Sequence, residues 1–275
     1  MPELPEVETV RRGLVREILG REIDNVTVTG ARSVRRHPPE GLTVLVGDRF
    51  TAIDRYGKYL VVRTAGGSDL VAHLRMSGQL RVHTVGDPLA PHTHVRIGIG
   101  DRELRFVDPR TFGELFIAAD SDDTGRPVEL RGLGPDALDA ALDGRALGAI
   151  LGRRRTAVKA VLLDQRAISG IGNIYADEIC FDARVRPARA ADTVSRPATW
   201  RLAASIQRVL AAAVVAGGST LRDARYRGVL GESGDFQDHH AVYARAGEPC
   251  PVCGTPIRRL QIAGRSAHYC PRCQR

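Results

Sequence analysis

Lysine is nearly missing from this 275-residue chain. Of its 40 basic residues, only Lys58 and Lys159 are lysines, and all the others are arginines. A lysine is a compact, titratable point charge, so one interpretation is that these two perform chemistry that a guanidinium cannot. Chance survival is the other interpretation, and the count alone does not separate the two. Asparagine is equally rare, occurring only as Asn25 and Asn173, and Met76 is the only internal methionine.

Long apolar runs are missing as well. No stretch approaches the roughly 18 to 20 residues that cross a bilayer, and the acidic start Pro2-Glu3-Leu4-Pro5-Glu6 fits neither a secretory signal nor a transit peptide. We therefore expect no membrane association. Four of the five cysteines form two pairs near the C-terminal end, which favours a metal site over a disulfide framework. That cysteine usage predicts a reducing, cytoplasmic setting.

The charge balance points to a polyanionic partner. The formal net charge is +8 and the sequence pI is about 9.7, and a soluble protein this basic usually meets a nucleic acid or an anionic membrane. A merely solvated basic surface is the alternative. The length fits two domains, each large enough to bury a core.

Hydrophobic patterning divides the chain into a strand-rich part and a helical part. Apolar residues recur at helical spacing from Pro5 to about Leu19, which predicts an amphipathic helix. Short β-rich segments separated by glycine-bearing turns then run from Asp24 to about Ala118, a pattern typical of a β-sandwich or barrel. The clearest segments are Phe50 to Ile53, Tyr59 to Val62, Leu70 to Leu74, His94 to Ile99 and Leu115 to Ala118.

A polar, turn-rich stretch over residues 120–132 predicts a linker, and helical patterning follows it. Gly134-Pro135-Asp136 is interpreted as the entry to a helix. An apolar stripe from Leu202 to Val214 predicts a helix that ends at Gly217-Gly218.

The strongest motif is a pair of Cys-x-x-Cys knuckles separated by sixteen residues. The sulfurs of Cys250, Cys253, Cys270 and Cys273 can close a tetrahedral cage around zinc, and four cysteine ligands leave no open position for catalysis. We therefore predict one structural zinc ion per chain. Arginines surround the knuckles, which suggests a DNA-contacting finger, although a solvated basic face is the alternative.

Two glycines in Ile168-Ser169-Gly170-Ile171-Gly172-Asn173 lie between apolar helical stretches. Glycines spaced this way let a backbone approach a phosphate with its amides exposed. A tight helix-helix turn without a ligand explains them equally well. A dinucleotide-binding interpretation fails because neither the third glycine nor a β-α-β unit is present.

The N-terminus carries a candidate nucleophile. Methionine before proline is normally trimmed, which would leave Pro2 with a free secondary amine beside Glu3 and Glu6, whereas retention of Met1 would block it. Such an amine can attack a sugar carbon and form a Schiff base, and a nearby carboxyl can pass protons. The simpler alternative is that Pro2 and Pro5 only start a helix.

Taken together, these residues resemble formamidopyrimidine-DNA glycosylases along nearly the whole chain. The resemblance rests on the zinc ribbon and on five motifs, the last of which is glycine-rich and helical. These motifs are Pro2-Glu3-Leu4-Pro5-Glu6-Val7-Glu8-Thr9-Val10, Tyr56-Gly57-Lys58, His73-Leu74-Arg75-Met76-Ser77-Gly78, Asp108-Pro109-Arg110-Thr111-Phe112-Gly113 and Gly170-Ile171-Gly172-Asn173-Ile174-Tyr175-Ala176-Asp177-Glu178.

The resemblance implies an α+β fold in which an N-terminal helix and a β-sandwich form a catalytic domain over residues 1–119. A linker over 120–132 would lead to a helix-two-turn-helix domain over 133–236, and a zinc finger over 237–275 would follow. The helical domain would include a lesion-capping loop from Gly217 to about Gly234.

The resemblance also implies a bifunctional DNA glycosylase and AP lyase of base excision repair. Such an enzyme flips oxidised purines, 8-oxoguanine and formamidopyrimidines, out of double-stranded DNA and cuts the strand by β,δ-elimination at the resulting abasic site. Pro2 would be the nucleophile at the sugar C1′, Glu3 the general acid/base and Glu6 a supporting carboxylate. Lys58 would handle phosphate or protons near the catalytic pocket. We expect a monomeric, nucleoid-associated bacterial enzyme.

A wedge is implied for the strand-rich half. Met76 and Phe112 would intercalate into the space left by the flipped nucleotide, with Arg110 facing the orphaned cytosine. His92 would contact the DNA as well.

In the helical half, the resemblance implies three further residues that act on DNA. Lys159 would help to recognise the extruded base. Asn173 and Arg265 would grip the phosphates that flank the lesion, and Arg265 thereby counts with the catalytic set.

Two rival functions stay open on the sequence. One is the related endonuclease VIII branch, which prefers oxidised pyrimidines, although Leu4-Pro5-Glu6-Val7 and the wedge residues favour the purine branch. The other is a catalytically silent, zinc-containing DNA-binding protein. The Pro2-Glu3 start is the discriminating feature, because a protein that only binds DNA needs no free N-terminal amine.

Overall fold

The computed structural model describes residues 2–221 and 226–275. The chain divides into two compact units. The first unit comprises Met1–Gly132 and Ala216–Gln237, and the second comprises Leu133–Val215 and Asp238–Arg275.

The first unit opens with helix α1, Leu4–Ile18. Leu4, Val7, Leu14 and Ile18 are at most 1% exposed, so the helix buries one continuous apolar stripe. The observed helix lies one residue N-terminal to the one predicted from the same periodicity. It carries the N-terminal residues to the edge of the core.

Two antiparallel four-stranded sheets make up the rest of this unit. One has the strand order β1-β6-β7-β5 and the other β2-β3-β4-β8. Apolar side chains from both sheets and from α1 share one core, as expected for a sandwich. The strands are β1 Asn25–Val28, β2 Phe50–Tyr56, β3 Tyr59–Thr64, β4 Leu70–His73, β5 Gln79–Thr84, β6 Thr93–Ile99, β7 Arg102–Val107 and β8 Glu114–Ile117, and short 3-10 helices cover Ala31–Ser33, Pro39–Leu45 and Val128–Leu130.

The second unit contains four α-helices and a β-hairpin in the described part of the chain. The helices are α2 Gly144–Leu151, α3 Val158–Leu163, α4 Asn173–Asp182 and α5 Arg196–Val215, and the hairpin strands are β9 Arg258–Ile262 and β10 Arg265–Tyr269. A 3-10 helix covers Ala191–Thr193, and one more, Phe236–His239, spans the boundary between the units.

The helix entry predicted at Gly134-Pro135-Asp136 is wrong. This segment pairs with the turn before α4 instead, since Ser169 donates its amide to the carbonyl of Pro135 at 2.9 Å. Helix α2 begins later, at Gly144, because the carboxylate of Asp143 accepts two first-turn amides at 2.8 Å each.

The segment Ala216–Gln237 groups with the first unit, whereas the sequence placed it in a helical domain over 133–236. Burial explains the difference, because Tyr226 and Val229 enter the core of the first unit. Val229 also extends the sheet edge, since its carbonyl accepts the amide of Val82 at 2.8 Å. Residues 222–225 of the predicted lesion-capping loop lie outside the described residues.

No α-helix in the described parts of the chain combines the length and the apolar character that a membrane span requires.

Candidate active site and nucleic-acid interface

The carboxylate of Glu6 organises the N-terminus. Pro2, Glu3 and Glu6 are all buried, and Glu6 is 1% exposed. Its Oε2 accepts the backbone amide of Glu3 at 2.7 Å. Its Oε1 accepts the amide of Ser219, also at 2.7 Å. Glu6 therefore joins the Pro2-Glu3 start to the chain segment that follows α5.

A glycine makes the second of these contacts possible. Gly218 has a φ of +80°, and a Cβ at this position would lie 2.7 Å from Oε1 of Glu6. Any larger residue would meet both backbone strain and a direct clash with the carboxylate. The backbone beside Glu6 is therefore open only to glycine.

Lys58 lies in the tight turn between β2 and β3 and is 7% exposed. Gly57 gives this turn its left-handed φ of +59°. Arg55 fixes the turn, because its Nη1 donates to the Gly57 carbonyl at 2.9 Å while its Nε donates to Glu8 at 3.1 Å. Glu8 belongs to α1, so one ion pair ties the lysine turn to the helix that directly follows Pro2 and Glu3.

Glu8 lies next to the candidate site and was not singled out from the sequence. Burial raises its pKa, but hydrogen bonds from Arg11 and Arg12 and the charge of Arg55 outweigh burial and lower the pKa from 4.5 to about 2. The carboxylate therefore stays ionised through the physiological range. Its place four residues beyond Leu4 on the helix was visible in the sequence, but its long-range partner was not.

His73, which was not singled out from the sequence either, lies near Lys58. Its ring packs edge-on against Tyr59 at a centroid distance of 4.4 Å, and its Nδ1 accepts the amide of Arg75 at 2.9 Å. Burial, followed by the positive charges of Arg75 and Lys58, lowers its pKa to about 3. His73 is thus a neutral imidazole held in the electrostatic field of Lys58.

The candidate wedge residues are mounted on one buried carboxylate, Asp108. Its Oδ1 accepts the hydroxyl of Ser77 at 2.5 Å and the amide of Arg110 at 3.2 Å, and its Oδ2 accepts the amide of Gly113 at 2.7 Å. The loop of Met76 and the loop of Arg110 and Phe112 are therefore fixed to each other. Phe112 is 52% exposed, and the Arg110 guanidinium carbon lies 4.9 Å from its ring centroid.

His92 belongs to the same assembly. It is exposed and has a φ of +64°, and its carbonyl accepts the amide of Asp108 at 3.0 Å. The structure thus brings together the residues predicted to enter or contact DNA in the first unit.

In the second unit, Asn173 is the first residue of α4. Its N-cap is Gly172, which has no side chain to satisfy the first turn. The buried Oδ1 of Asn173 has no hydrogen-bond partner among the described residues. Oδ1 is an acceptor and would not itself bind a phosphate, but a helix start without a side-chain cap leaves first-turn amides that suit an anionic ligand.

Arg265 begins β10 at the end of the zinc-ribbon hairpin and is exposed. Ala263 and Gly264 both have positive φ, +48° and +71°, as a two-residue hairpin turn requires. The guanidinium is therefore presented to solvent from a rigid turn.

Lys159, for which a role in base recognition was predicted, is enclosed in the second unit. Lys159 is 0% exposed, and its Nζ donates to Oδ1 of Asp177 at 2.6 Å and to the Ser266 carbonyl at 2.6 Å. A side chain enclosed in this way offers no surface to a base, so any part that Lys159 plays in base recognition acts through its neighbours and stays a prediction.

The four paired cysteines converge, with all four sulfurs within 4.8 Å of one another. Two of the sulfur separations are 3.9 Å and 3.4 Å, close to the roughly 3.8 Å expected when four Zn–S bonds of about 2.3 Å are tetrahedral. Thiolates alone in this arrangement fit a closed structural zinc site.

Comparison with known protein families accounts for most of the chain. The formamidopyrimidine-DNA glycosylase N-terminal domain matches residues 1–115, the formamidopyrimidine-DNA glycosylase H2TH domain matches residues 133–225, and a zinc finger found in FPG and IleRS matches residues 247–275. The chain belongs to the formamidopyrimidine-DNA glycosylase family. The resemblance stated from its motifs is thereby confirmed.

Curated formamidopyrimidine-DNA glycosylases are similar over their whole length. The protein of Salinispora arenicola is 46% identical over 279 residues, which cover 100% of this chain and 96% of that protein. The protein of Symbiobacterium thermophilum is 45% identical over 276 residues, which cover 100% of this chain and 89% of that protein.

Solved structures of formamidopyrimidine-DNA glycosylases confirm the α+β fold. The MutM (Fpg) protein of Thermus thermophilus has a TM-score of 0.87 at 42% identity, with coverage of 99% of this chain and 98% of that chain. The Lactococcus lactis Fpg, solved in complex with DNA that contains an abasic site, has a TM-score of 0.91 at 34% identity and full coverage of both chains.

Family membership also confirms the enzyme class and the zinc. The chain is a formamidopyrimidine-DNA glycosylase of DNA repair, and Cys250, Cys253, Cys270 and Cys273 form its structural zinc site. The roles of the individual catalytic and DNA-binding residues stay predictions.

Proposed function

We propose that this glycosylase is bifunctional, excising oxidised purines from duplex DNA and then cutting the strand as an AP lyase. The observation that carries the proposal is the buried Pro2-Glu3-Glu6 cluster at the start of α1, where Glu6 binds the Glu3 amide. Glu3 and Glu6 form the capping box of this helix, and the same contacts hold the Glu3 carboxylate directly after Pro2, where a general acid/base is needed.

In the proposed reaction, the Pro2 nitrogen bonds to C1′ as the bond from C1′ to the damaged base breaks. The base leaves with a proton, and Glu3 moves protons at the sugar while the ring opens to an iminium ion. Elimination then breaks the C3′–O bond and afterwards the C5′–O bond, which releases both phosphates and leaves a one-nucleotide gap. Lys58, held beside His73, acts on phosphate or protons near this site.

DNA is gripped by residues of both units in this proposal. Met76 and Phe112 fill the space left by the flipped nucleotide, with Arg110 facing the unpaired cytosine, and His92 contacts the duplex nearby. Asn173 and Arg265 hold phosphates beside the lesion. The segment from Gly217 to Gly234 caps the extruded base. We expect a monomer on DNA, at the nucleoid.

The decisive experiment is borohydride trapping on duplexes that carry 8-oxoguanine or an abasic site. An intact-mass measurement first establishes that Met1 has been removed. Peptide mapping should then place the adduct at Pro2, because the amine mechanism passes through an imine that borohydride reduces. Glu3→Gln should suppress base excision and leave DNA binding nearly intact.

Four results would contradict the proposal. An adduct at a lysine of the wild-type protein, or cleavage without any adduct, would remove the proline mechanism. Binding without excision or adduct would instead support the silent DNA-binding alternative. Faster excision of oxidised pyrimidines than of 8-oxoguanine would favour the endonuclease VIII type of specificity.

A further inference from the structure

Lys159 and Asp177 form a buried ion pair in the second unit, and both residues are 0% exposed. Lys159 lies on α3 and Asp177 on α4. A buried pair of this kind is weak support for stability by itself, because desolvation offsets much of the attraction. The other groups that the ion pair binds therefore indicate its role better than its contribution to stability does.

Those partners belong to the zinc ribbon. Oδ2 of Asp177 accepts the backbone amide of His268 at 2.9 Å and lies 2.9 Å from the Nδ1 of the same residue. Lys159 donates to the carbonyl of Ser266 at 2.6 Å. The pair thus holds β10 at the first and the third residue after Arg265.

The neighbouring acid on α4 holds the other arm of the ribbon. Glu178 is 5% exposed and accepts the backbone amides of Ala241, Val242 and Tyr243 at 2.9, 3.0 and 2.8 Å. The chain that enters the ribbon and the strand that carries Arg265 are therefore both fastened to one turn of α4.

The same helix begins at Asn173, one turn before Asp177. Four residues of α-helix advance about 6 Å along the axis, so the path from Asn173 through Asp177 to Ser266 and Arg265 is short and rigid. We propose that the Lys159–Asp177 pair is a positioning device that fixes Arg265 relative to Asn173, setting the spacing of the two phosphate grips. The proposal rests on the DNA-binding roles proposed above.

The device also explains why one lysine persists in a chain whose other basic residues are almost all arginines. Two acceptors, the Asp177 carboxylate and the Ser266 carbonyl, meet the ammonium in a fully enclosed space. A guanidinium is larger, planar and fork-shaped, so it cannot replace a point donor there without moving β10. We therefore expect Lys159→Arg to disturb the ribbon although the charge is kept.

The test compares wild type, Lys159→Met, Lys159→Arg and Asp177→Asn, with Asp182→Asn as the matched control. Asp182 also lies on α4 and pairs with a cation, Arg208, but this pair does not involve the ribbon. The first readout is hydrogen exchange of the 258–269 hairpin, measured on protein with its zinc retained. The second is affinity for a duplex that carries a stable abasic-site analogue, with and without the additional change Arg265→Ala.

We expect the hairpin amides to exchange faster than in wild type in both Lys159 variants and in Asp177→Asn. In the Asp182→Asn control, the exchange rate of the hairpin should be unchanged. Affinity should fall roughly tenfold in Lys159→Met, but in the Arg265→Ala background the same change should cost less than about twofold. A purely structural role would lower affinity equally in both backgrounds. Lys159→Arg should fold even if Lys159→Met does not. The affinity comparison with and without Arg265→Ala can then be made with Lys159→Arg.

Unchanged exchange in all variants, or equal affinity losses in both backgrounds, would overturn the proposal. If Arg265→Ala alone binds DNA as tightly as wild type, the proposed phosphate grip fails and the positioning role fails with it. That outcome is recognised from the single Arg265 variant, before Lys159 is changed.

Discussion

At the scale of single residues, buried carboxylates set the geometry of this enzyme. Glu6, Glu8, Asp108 and Asp177 each accept hydrogen bonds from two separate segments of the chain. Bonds to an ionised acceptor are shorter and stronger than neutral ones. Each carboxylate therefore acts as a joint between a candidate functional residue and the scaffold.

Glu8 should make folding stability depend on pH in acid. Its folded pKa of about 2 lies below the ordinary 4.5, so its contribution is complete above about pH 4.5 and is lost as pH falls towards 2. At about 1.4 kcal/mol per pKa unit the contribution at neutral pH is at most about 3.5 kcal/mol, and solvent screening of this half-buried group reduces it to roughly 2 to 3 kcal/mol. Urea unfolding of wild type and Glu8→Gln should show this difference at pH 7 and a much smaller one at pH 2.5.

The exposed Glu22 supplies the control for this measurement. Glu22→Gln should follow the wild type at every pH, because an exposed charged side chain contributes little to stability. If the difference in unfolding free energy between wild type and Glu8→Gln is as large in acid as at pH 7, packing rather than charge accounts for the effect.

Residue types and spacings were enough to predict the zinc ligands and to propose the N-terminal nucleophile, since both depend on local sequence. Lys159 shows where such inference stops. Its rarity was visible, but its burial against Asp177 and Ser266 depends on contacts between residues far apart in the chain. The partners that enclose Lys159 could therefore not be predicted from the sequence.

At the scale of elements, the turn after α5 is specified by one backbone conformation. Gly218→Ala should lower the free energy of unfolding by about 1 to 3 kcal/mol more than Gly20→Ala. Both glycines have a left-handed φ, +80° and +78°, but only at Gly218 would a Cβ meet another group, Oε1 of Glu6. Urea unfolding and single-turnover excision measure the effect.

Excision should fall in Gly218→Ala and stay near wild type in Gly20→Ala, because only the first change disturbs the carboxylate that holds the Glu3 amide. Equal losses of stability in both variants would mean that backbone strain alone matters and that the contact with Glu6 does not.

Elements with clear periodicity were predicted well, and the others were not. Helix α1 followed from its apolar stripe. Strand β7 was missed because its alternation is hidden by Arg105, which is 1% exposed and bonded to Glu103 and to the carbonyls of Asp87 and Pro88. A buried charged residue finds its hydrogen-bond partners only in the folded chain. In the sequence, such a residue therefore looks like one that is exposed to solvent.

At the scale of the whole molecule, zinc should decide whether the ribbon exists. The described apolar core around the metal site is small, with Val242, Ile257 and two of the cysteines buried, and a core of this size rarely folds without a metal. Elemental analysis should find one zinc per chain. Cys253→Ser should lose the metal and most DNA affinity, because Arg265 is presented by the ribbon.

The first unit contributes none of the zinc ligands. Its unfolding in Cys253→Ser, followed by hydrogen exchange of β2 to β4, should therefore stay close to wild type. Full DNA affinity in zinc-free protein would contradict the role of the ribbon.

The division into a strand-rich and a helical half was evident from composition, but the return of Ala216–Gln237 to the first unit was not. Tyr226 and Val229 lie in a stretch of charge and glycine without periodicity, so their burial depends on a distant sheet edge.

The packing of Ala216–Gln237 on the first unit also determines when this unit can be completed during translation. Strand β5 is an edge strand, and its Val82 amide is paired only when Val229 has been made. Throughout translation of residues 133–225, the nascent first unit must therefore keep an open sheet edge and an uncovered apolar patch. Such surfaces are where nascent chains aggregate and where chaperones bind. The half of the enzyme that is synthesised first is thus the half that is completed late.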